Sequence, residues 1–525
     1  MGDRTPQNYI LIVLLFISTS LFSQQGDYII GKLFDAKSQE PVVFASIRIK
    51  NKALGVISNM DGSFKIPLKY KELGDIIEIS SMGYQSKEIL ITNLSIYEVN
   101  IVRLMPAILE LEETVVIAKQ KRKKIISAKQ IVRNAIEAIP QNYPKYPFSY
   151  VGYYRDYQVK NKDFINVNEA IIEVFDNGFQ TNDNQKTNFK LYQYIKNTNF
   201  SRDTLGEKSY DNKNKFIPGA QILSRSGNEL LMLRNMNAIR NHKVDIYSYV
   251  YRFERDFIIN HWFRKNKEVN LGNEYFYSIS ISKTNPRFLV FGTMYVSKTS
   301  FAIYKFDYEV YDRRDGINST ATYETIKKEF SPLFAVRLGY NEYNDLMYPS
   351  YISFNNRFKV YTKPKFKIEK LSLDPVEECV AVTFSKEPNR NDVLKVSRYE
   401  LEYDDDDVRI MYVKQDGRMA KLYFSNQTWK NLEERISTNI AEDEAKLQLR
   451  ISKIKDIDGN IINTPEEIEF SQFREFFTQQ TKSVKNRPFV RSYMNKNIPI
   501  FQNQTVEKPV NFEDYWMNTP LQKVN

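Results

Sequence analysis

Two histidines, His242 and His261, are all the imidazoles in this 525-residue chain. Neither opens H-E-x-x-H, and neither meets the zinc-peptidase pattern H-x-x-E, because His242 leads to Asp245 and His261 to Arg264. Zinc held by imidazole needs clustered ligands, so no histidine zinc centre is expected. His261, in INHWFRK, reads as a structural residue beside Trp262. No G-x-S-x-G elbow and no Walker A loop occur. The single thiol, Cys379 in ECVAVTF, has no partner for an intramolecular disulfide and reads as buried packing.

Carboxylates remain. Glu169 and Glu173 in NEAIIEVF share a face if the segment is a strand, where cross-strand pairing with Lys or Arg is expected. The run Asp404 to Asp407 reads as a solvated loop, with a divalent cation as the alternative. Asp456 to Asn460 reads as a hairpin turn, because Ile461 stands where a calcium loop needs Gly and no Glu closes the loop. Asp61 reads as a turn former, with a calcium ligand as its alternative. No catalytic residue, cofactor site or metal site is therefore expected. Carboxylates that converge only in the folded chain leave a hydrolase open, since their separation in space decides glycoside cleavage.

The elements that would position such groups are mostly β. Aromatics make up 14% of the chain, with 35 Tyr and 34 Phe, and such residues favour pleated, half-buried surfaces. Tyr9 to Phe22 is an apolar run too short for a typical spanning helix. It fits an export signal over residues 1–23, cleaved after Ser23. Over 24–105, short alternating runs are separated by turn residues: Ala45, Ile47 and Ile49 alternate with Ser46, Arg48 and Lys50, and Asn59, Asp61 and Gly62 supply turn chemistry. A small antiparallel sandwich follows. After a linker over 106–127, Ser127 and Gln130 have capping-box spacing, and Ile131, Val132, Ala135, Ile136 and Ile139 line one face of a helix that Pro140 ends. Long aromatic strands then fill 128–370, a further β module spans 371–477, and an extended tail follows over 478–525, with Trp516 positioned to dock back. The expected fold class is mainly β and multidomain: a sandwich, a central antiparallel β domain with a few helices, and a C-terminal sandwich.

The segments GKLFDAKSQEPVVFASIRI, SNMDGSF and ISSMGYQSKEI resemble the carboxypeptidase-regulatory-like domain, a transthyretin-like sandwich of exported proteins. That resemblance implies an accessory module, not a peptidase. LEETVVIA resembles the TonB box of outer-membrane transporters, which works by strand addition; the pentad would be Glu113, Thr114, Val115, Val116 and Ile117. VFGTMYVSKTSFAIYKFDYEV, turning at Ser297 to Ser300, resembles periplasmic lipoprotein-carrier domains, whose curved sheet cradles acyl chains. VAVTFSKEP and the turn Ile454, Asp456, Gly459, Asn460 resemble a bacterial Ig-like domain of the S-layer type, a spacer or adhesion module.

The formal net charge of +11 suits a soluble basic surface or an anionic partner, but no basic stripe with RNA-binding aromatics appears, so no nucleic acid is expected. Charges interrupt the strands too often for an outer-membrane barrel. The expectation is a non-enzymatic binding or scaffolding protein of a Gram-negative envelope, periplasmic or attached to the outer membrane. Its partner would be an envelope protein or outer-membrane component, with lipid or glycan as other ligands and the oligomeric state left open. The first alternative is a carrier of lipid or another apolar ligand, the second a carboxylate-dependent hydrolase.

Overall fold

The computed structural model describes residues 27–107, 126–207, 215–216, 228–244, 252–272, 274–318, 320–436, 440–482 and 492–521. The expected export signal and the pentad Glu113 to Ile117 lie outside the described residues. The chain forms two compact units. Unit 1 comprises residues up to Asn212, Ile217–Phe358 and Phe470–Asn525; unit 2 comprises Lys213–Phe216 and Lys359–Glu469. Both are built mainly of strands.

Unit 1 begins with the sandwich. One sheet has the order β4 (Ser63–Pro67), β1 (Tyr28–Asp35), β7 (Asn100–Leu104); the other runs β3 (Gly55–Ile57), β2 (Ser46–Ile49), β5 (Ile76–Ser80), β6 (Lys87–Leu90). The period-two residues meet between them: Ile29, Leu33, Ala45, Ile47, Phe64, Ile66, Ile77 and Ile79 are buried together. The turn before β4 requires Gly62, whose φ of +73° suits a residue without Cβ.

The rest of unit 1 is organised on a 12-stranded sheet. Its path is β10 (Asn188–Lys196), β9 (Asp163–Asp176), β8 (Phe148–Lys160), β26 (Glu467–Lys482), β18 (Leu346–Tyr361), β17 (Phe334–Tyr343), β16 (Ile303–Asp312), β15 (Phe288–Ser297), β14 (Glu274–Thr284), β12 (Trp262–Lys265). Off this path, β13 (Val269–Leu271) pairs with β14, and β11 (Lys215–Phe216), which belongs to unit 2, pairs with the Lys359 and Val360 end of β18, also in unit 2. The last long strand of the chain is thus inserted at the sheet's centre. Residues 148–158 of β8 are buried on both faces, which explains why the aromatics of FSYVGYYRDYQ do not alternate cleanly with polar residues.

On one face, Tyr150, Tyr154, Ala170, Ile172, Val174, Phe306 and Phe476 join a core covered by the Ala128–Glu137, Glu229–Asn235 and Asp256–Asn260 helices. Ser127 caps the first, its Oγ accepting from the Gln130 amide at 3.2 Å. That helix ends at Ala138, and Pro140 lies inside a separate short helix, Ile139–Asn142, rather than terminating the first. The Glu229–Asn235 helix is held by a buried ion cluster. Arg234 donates to Asp176 and Asp183, each at 2.6 Å, and Arg240 donates to Asp176 at 3.0 Å. Burial alone would raise the Asp183 carboxyl, but Arg234 and Arg240 hold it below the usual range.

Unit 2 has two sheets, β19 (Ile368–Asp374), β20 (Cys379–Phe384), β24 (Met419–Tyr423), β23 (Tyr412–Asp416) and β22 (Asp406–Asp407), β21 (Tyr399–Tyr403), β25 (Leu447–Ile451). They share one core containing Val380, Val382, Phe384, Leu401, Leu422 and Trp429. The module expected over 371–477 is shifted: unit 2 closes at Glu469, and the chain beyond it belongs to unit 1. Residue 477, the expected boundary, falls inside β26. The tail expected to be extended from 478 starts as sheet strand, and Met494, Ile500, Phe501, Tyr515, Trp516 and Leu521 are buried.

Replacing Arg234 with Ala leaves two buried carboxylates short of a partner. The expected loss is about 3–5 kcal/mol of unfolding free energy, measured by urea denaturation.

Candidate functional site

A concave site lies in unit 1, where the sandwich meets the central sheet. The C-terminal segment builds that junction. Trp516 is buried beside Tyr70, and its indole N–H donates to the Lys65 carbonyl at 2.7 Å. Asn518 donates to the Ile57 carbonyl at 2.9 Å and accepts from the Lys65 amide at 2.7 Å. Asn59 and Ser63 of SNMDGSF return the contact, donating to the Asn518 and Pro520 carbonyls at 2.8 and 2.6 Å. Asp61 serves the turn itself, accepting from the Ser63 amide at 3.1 Å, with Lys32 at 3.7 Å. The outer face of the central sheet packs on the sandwich through Val151, Tyr153, Tyr351 and Phe477 against Phe44, Leu54 and Ile57.

Beside this contact is a cavity of about 450 Å³. The sandwich contributes Arg48 of β2 and Glu78 of β5, which face each other across the strand pair. The central sheet contributes Glu274, Tyr304, Asn341, Glu342, Tyr343 and Tyr348. The β17–β18 hairpin presents the last four of these. It turns at Asn344 and Asp345, both with positive φ, a conformation that Asn and Asp tolerate in two-residue hairpin turns. Asn341 stands opposite Tyr348, and Tyr343 and Tyr348 meet edge to face at 6.2 Å. With its amide oxygen turned inward, Asn341 accepts from Arg48 at 2.9 Å and from Ser350 at 3.1 Å.

The centre of the site is Tyr304. Its hydroxyl lies 2.8 Å from Glu274 Oε2 and 2.5 Å from Glu342 Oε2. Burial and then the two carboxylates push the phenol far above its ordinary range, so it stays protonated. A phenol has one proton to donate. Only one carboxylate can receive it, and the other keeps acceptor capacity directed at the cavity. With Glu78, three carboxylates and one guanidinium, Arg48, line the cavity, in a chain whose net charge is +11. Burial lowers the Arg48 pKa, and Glu78 opposes that shift. The arrangement favours a ligand rich in N–H or O–H donors.

The carboxylates singled out from sequence lie elsewhere. Glu169 and Glu173 do share a buried face, but their main partners are not Lys or Arg. Glu169 accepts from Tyr153 at 2.5 Å, Asn197 at 2.7 Å and Thr519 at 2.9 Å. Glu173 accepts from Ser149 at 2.9 Å and from Tyr192, with Lys482 at 3.6 Å. Arg155, the cross-strand neighbour of Glu169, turns to Glu475 instead. Asp404 to Asp407 are all exposed, as a solvated loop would be, and they close a tight hairpin: Asp404 and Asp405 have positive φ, Tyr403 pairs with Asp406, and Arg435 reaches Asp406 at 3.1 Å. The Asp456 carboxylate accepts from the Asp458 and Asn460 amides at 3.0 and 2.7 Å, so its oxygens close a turn. Cys379 is buried, and burial pushes its thiol up to about 11. The neighbouring Glu377 is taken by Lys421, at 2.7 Å.

Arg48, Glu274, Tyr304, Asn341 and Glu342 were not singled out from sequence. Each sits at a polar position of an ordinary alternating strand or hairpin, and none forms a motif with another. The polar and aromatic cluster NEYND at the β17–β18 turn was the only local signal.

Residues 29–116 match the family CarboxypepD_reg-like domain. The N-terminal sandwich is such a domain. Over 79 residues the chain is also 34% identical to the TonB-dependent receptor SusC of Bacteroides thetaiotaomicron. That similarity covers 15% of this chain and 7% of the receptor. Among solved structures, a LolA superfamily protein from Nitrosomonas europaea is 11% identical, covering 44% of this chain and 86% of its own, with a TM-score of 0.18. A putative outer membrane lipoprotein-sorting protein domain from Vibrio parahaemolyticus is 10% identical, covering 43% and 85%, also with a TM-score of 0.18. The CarboxypepD_reg-like domain thus supplies two charged groups, Arg48 and Glu78, to a cavity completed by a different β domain.

The two histidines take structural positions. His242 is buried against the Ile239 carbonyl at 3.0 Å. The His261 ring lies between the Phe257 carbonyl at 3.0 Å and the Tyr308 hydroxyl at 2.9 Å, and burial lowers its pKa to about 4. Between pH 6.5 and 4 the unfolded chain binds this proton before the folded chain does, so the contribution of neutral His261 is lost as pH falls through that window. The stability penalty of His261→Gln, measured by urea denaturation, is expected to be largest above pH 6.5. It should shrink by roughly 3 kcal/mol towards pH 4.

Proposed function

We propose that this protein is a non-enzymatic binding protein of the bacterial cell envelope, exported and held in the periplasm or at the outer membrane. Its ligand would occupy the cavity between the CarboxypepD_reg-like domain and the central sheet. The observation that carries this reading is the Tyr304 hydroxyl set between Glu274 and Glu342, beside an aromatic rim. Spare acceptors demand donors, and the tyrosine faces provide apolar platforms. The ligand class is an amine-bearing, hydroxyl-rich molecule, an amino sugar being the simplest example. The CarboxypepD_reg-like domain and its similarity to part of a TonB-dependent receptor support the envelope setting. No helix of the described residues is long and apolar enough to cross a membrane.

The paired carboxylates also favour a second reading, hydrolysis of a glycoside, because two acids beside one cavity are the components that chemistry needs. Carriage of an apolar ligand would require the helices on the other face of the sheet to leave it, since Tyr154, Phe189, Phe253, Phe257 and Phe306 already fill that core.

Thermal and urea unfolding with amino sugars, neutral sugars and polyamines tests the binding reading. A ligand present at a hundred times its Kd should add about 2.7 kcal/mol of stability, and Glu274→Gln with Glu342→Gln should remove that gain. No stabilisation by any donor-rich ligand overturns the proposal. Turnover of a glycoside that disappears in either Gln variant establishes the hydrolase instead.

A further inference from the structure

A second surface in unit 1 lies at the edge strand β12. The residues leading into it follow one rule. Phe253, Phe257 and His261 are buried, and Phe257 packs on Phe253, His261, Phe263 and Phe306 at centroid distances of 4.7, 4.6, 5.4 and 5.8 Å. His261 is fixed inward by the Phe257 carbonyl and the Tyr308 hydroxyl. Strand alternation then turns its neighbour Trp262 outward. Trp262 is 79% exposed, and Ile259, one turn earlier, is 73% exposed. The chain's other tryptophans, Trp429 and Trp516, are 4% and 3% exposed.

The segment carrying these two apolar side chains is rich in cations. Residues 252–267 carry Arg252, Arg255, Arg264, Lys265 and Lys267 against Glu254 and Asp256. Arg255 pairs with Asp256 at 2.8 Å, and Lys265 with Glu268 at 3.3 Å. Arg264 and Lys267 are exposed, with no ion-pair partner among the described residues. Trp262 and Arg264 project from the same face of β12, two residues apart. An exposed tryptophan and isoleucine beside an inward-anchored histidine, with exposed Arg264 and Lys267 close by in the chain, match an interface that is apolar below and anionic at its surface.

We propose that the Ile259–Lys267 tip docks on an anionic lipid surface, Trp262 and Ile259 entering the headgroup boundary while Arg264 and Lys267 meet lipid phosphates. This goes beyond the ligand cavity and does not depend on it. The purified full-length protein can be mixed with phosphatidylcholine vesicles, with and without phosphatidylglycerol, and followed by co-sedimentation and tryptophan emission. With Trp429 and Trp516 buried, Trp262 reports selectively. The expected result is a blue shift that needs phosphatidylglycerol and weakens at high salt. Trp262→Ala should lower vesicle partitioning by about tenfold with an unchanged melting temperature. Arg264→Glu with Lys267→Glu should abolish the preference for phosphatidylglycerol.

Four outcomes overturn the proposal: no vesicle binding, equal binding to neutral vesicles, undiminished partitioning of Trp262→Ala, or binding with unshifted emission. The last would mean attachment through a surface other than this tip. If vesicles leave the emission unmoved but an envelope protein fraction shifts it, the tip contacts a protein partner and the lipid proposal is likewise rejected.

Discussion

Arg155 and Glu475 meet at 2.5 Å with neither side chain exposed to solvent, 320 positions apart in the chain. Removing two charges from water costs several kcal/mol per ion unless the geometry and the remaining hydrogen bonds are complete. Completion here requires three separate parts of the protein. β8 brings Arg155 and β26 brings Glu475. The C-terminal segment brings the Thr519 carbonyl, 3.5 Å from the guanidinium. The nearby Glu169 takes the Thr519 hydroxyl as well as Tyr153. The central pairing of the sheet and the seating of the last residues therefore stabilise each other.

From this constraint the candidate site follows. Thr519 lies between Asn518 and Pro520, whose backbone and side-chain groups bind Asn59, Ser63 and Lys65 of the CarboxypepD_reg-like domain. A chain segment fixed to the sheet on one side and to the sandwich on the other holds the two domains in register. Arg48 and Glu78 are thereby set against Glu274, Tyr304 and Glu342. The SNMDGSF turn thus has a role beyond reversing the chain: its Asn and Ser receive the carbonyls of the segment that completes the fold. Formation of this unit depends on contacts of very high sequence separation, the kind that slows folding because loop closure precedes the gain from pairing.

Much of the local structure was legible. Ile47, Ile49, Phe64 and Ile66 announce their sandwich by alternation, and Ser127 announces its helix by a capping hydroxyl three residues before Gln130. These signals depend on neighbours in sequence. The end of unit 2 at Glu469 was not legible, because β26 runs from that boundary into the central sheet without a turn, Pro or Gly to mark it. Glu169 and Glu173 share one face as read, yet their hydroxyl and amide partners come from β8, from β10 and Asn197 just after it, and from the C-terminal segment, which no local pattern specifies.

By itself the sequence determined the β class, the sandwich and its family, and the absence of a histidine zinc motif, because periodicity, turn chemistry and motif spacing act over a few residues. Tertiary structure alone decided which carboxylates matter. Glu274 and Glu342 are 68 positions apart and unremarkable in their strands, until β14, β16 and the β17–β18 hairpin bring both to one phenol. It also decided that Trp262 is exposed and Trp516 buried. Both stand in aromatic, charged surroundings. One is turned outward by the anchored His261 beside it, and the other is drawn inward by the Lys65 carbonyl 451 positions away.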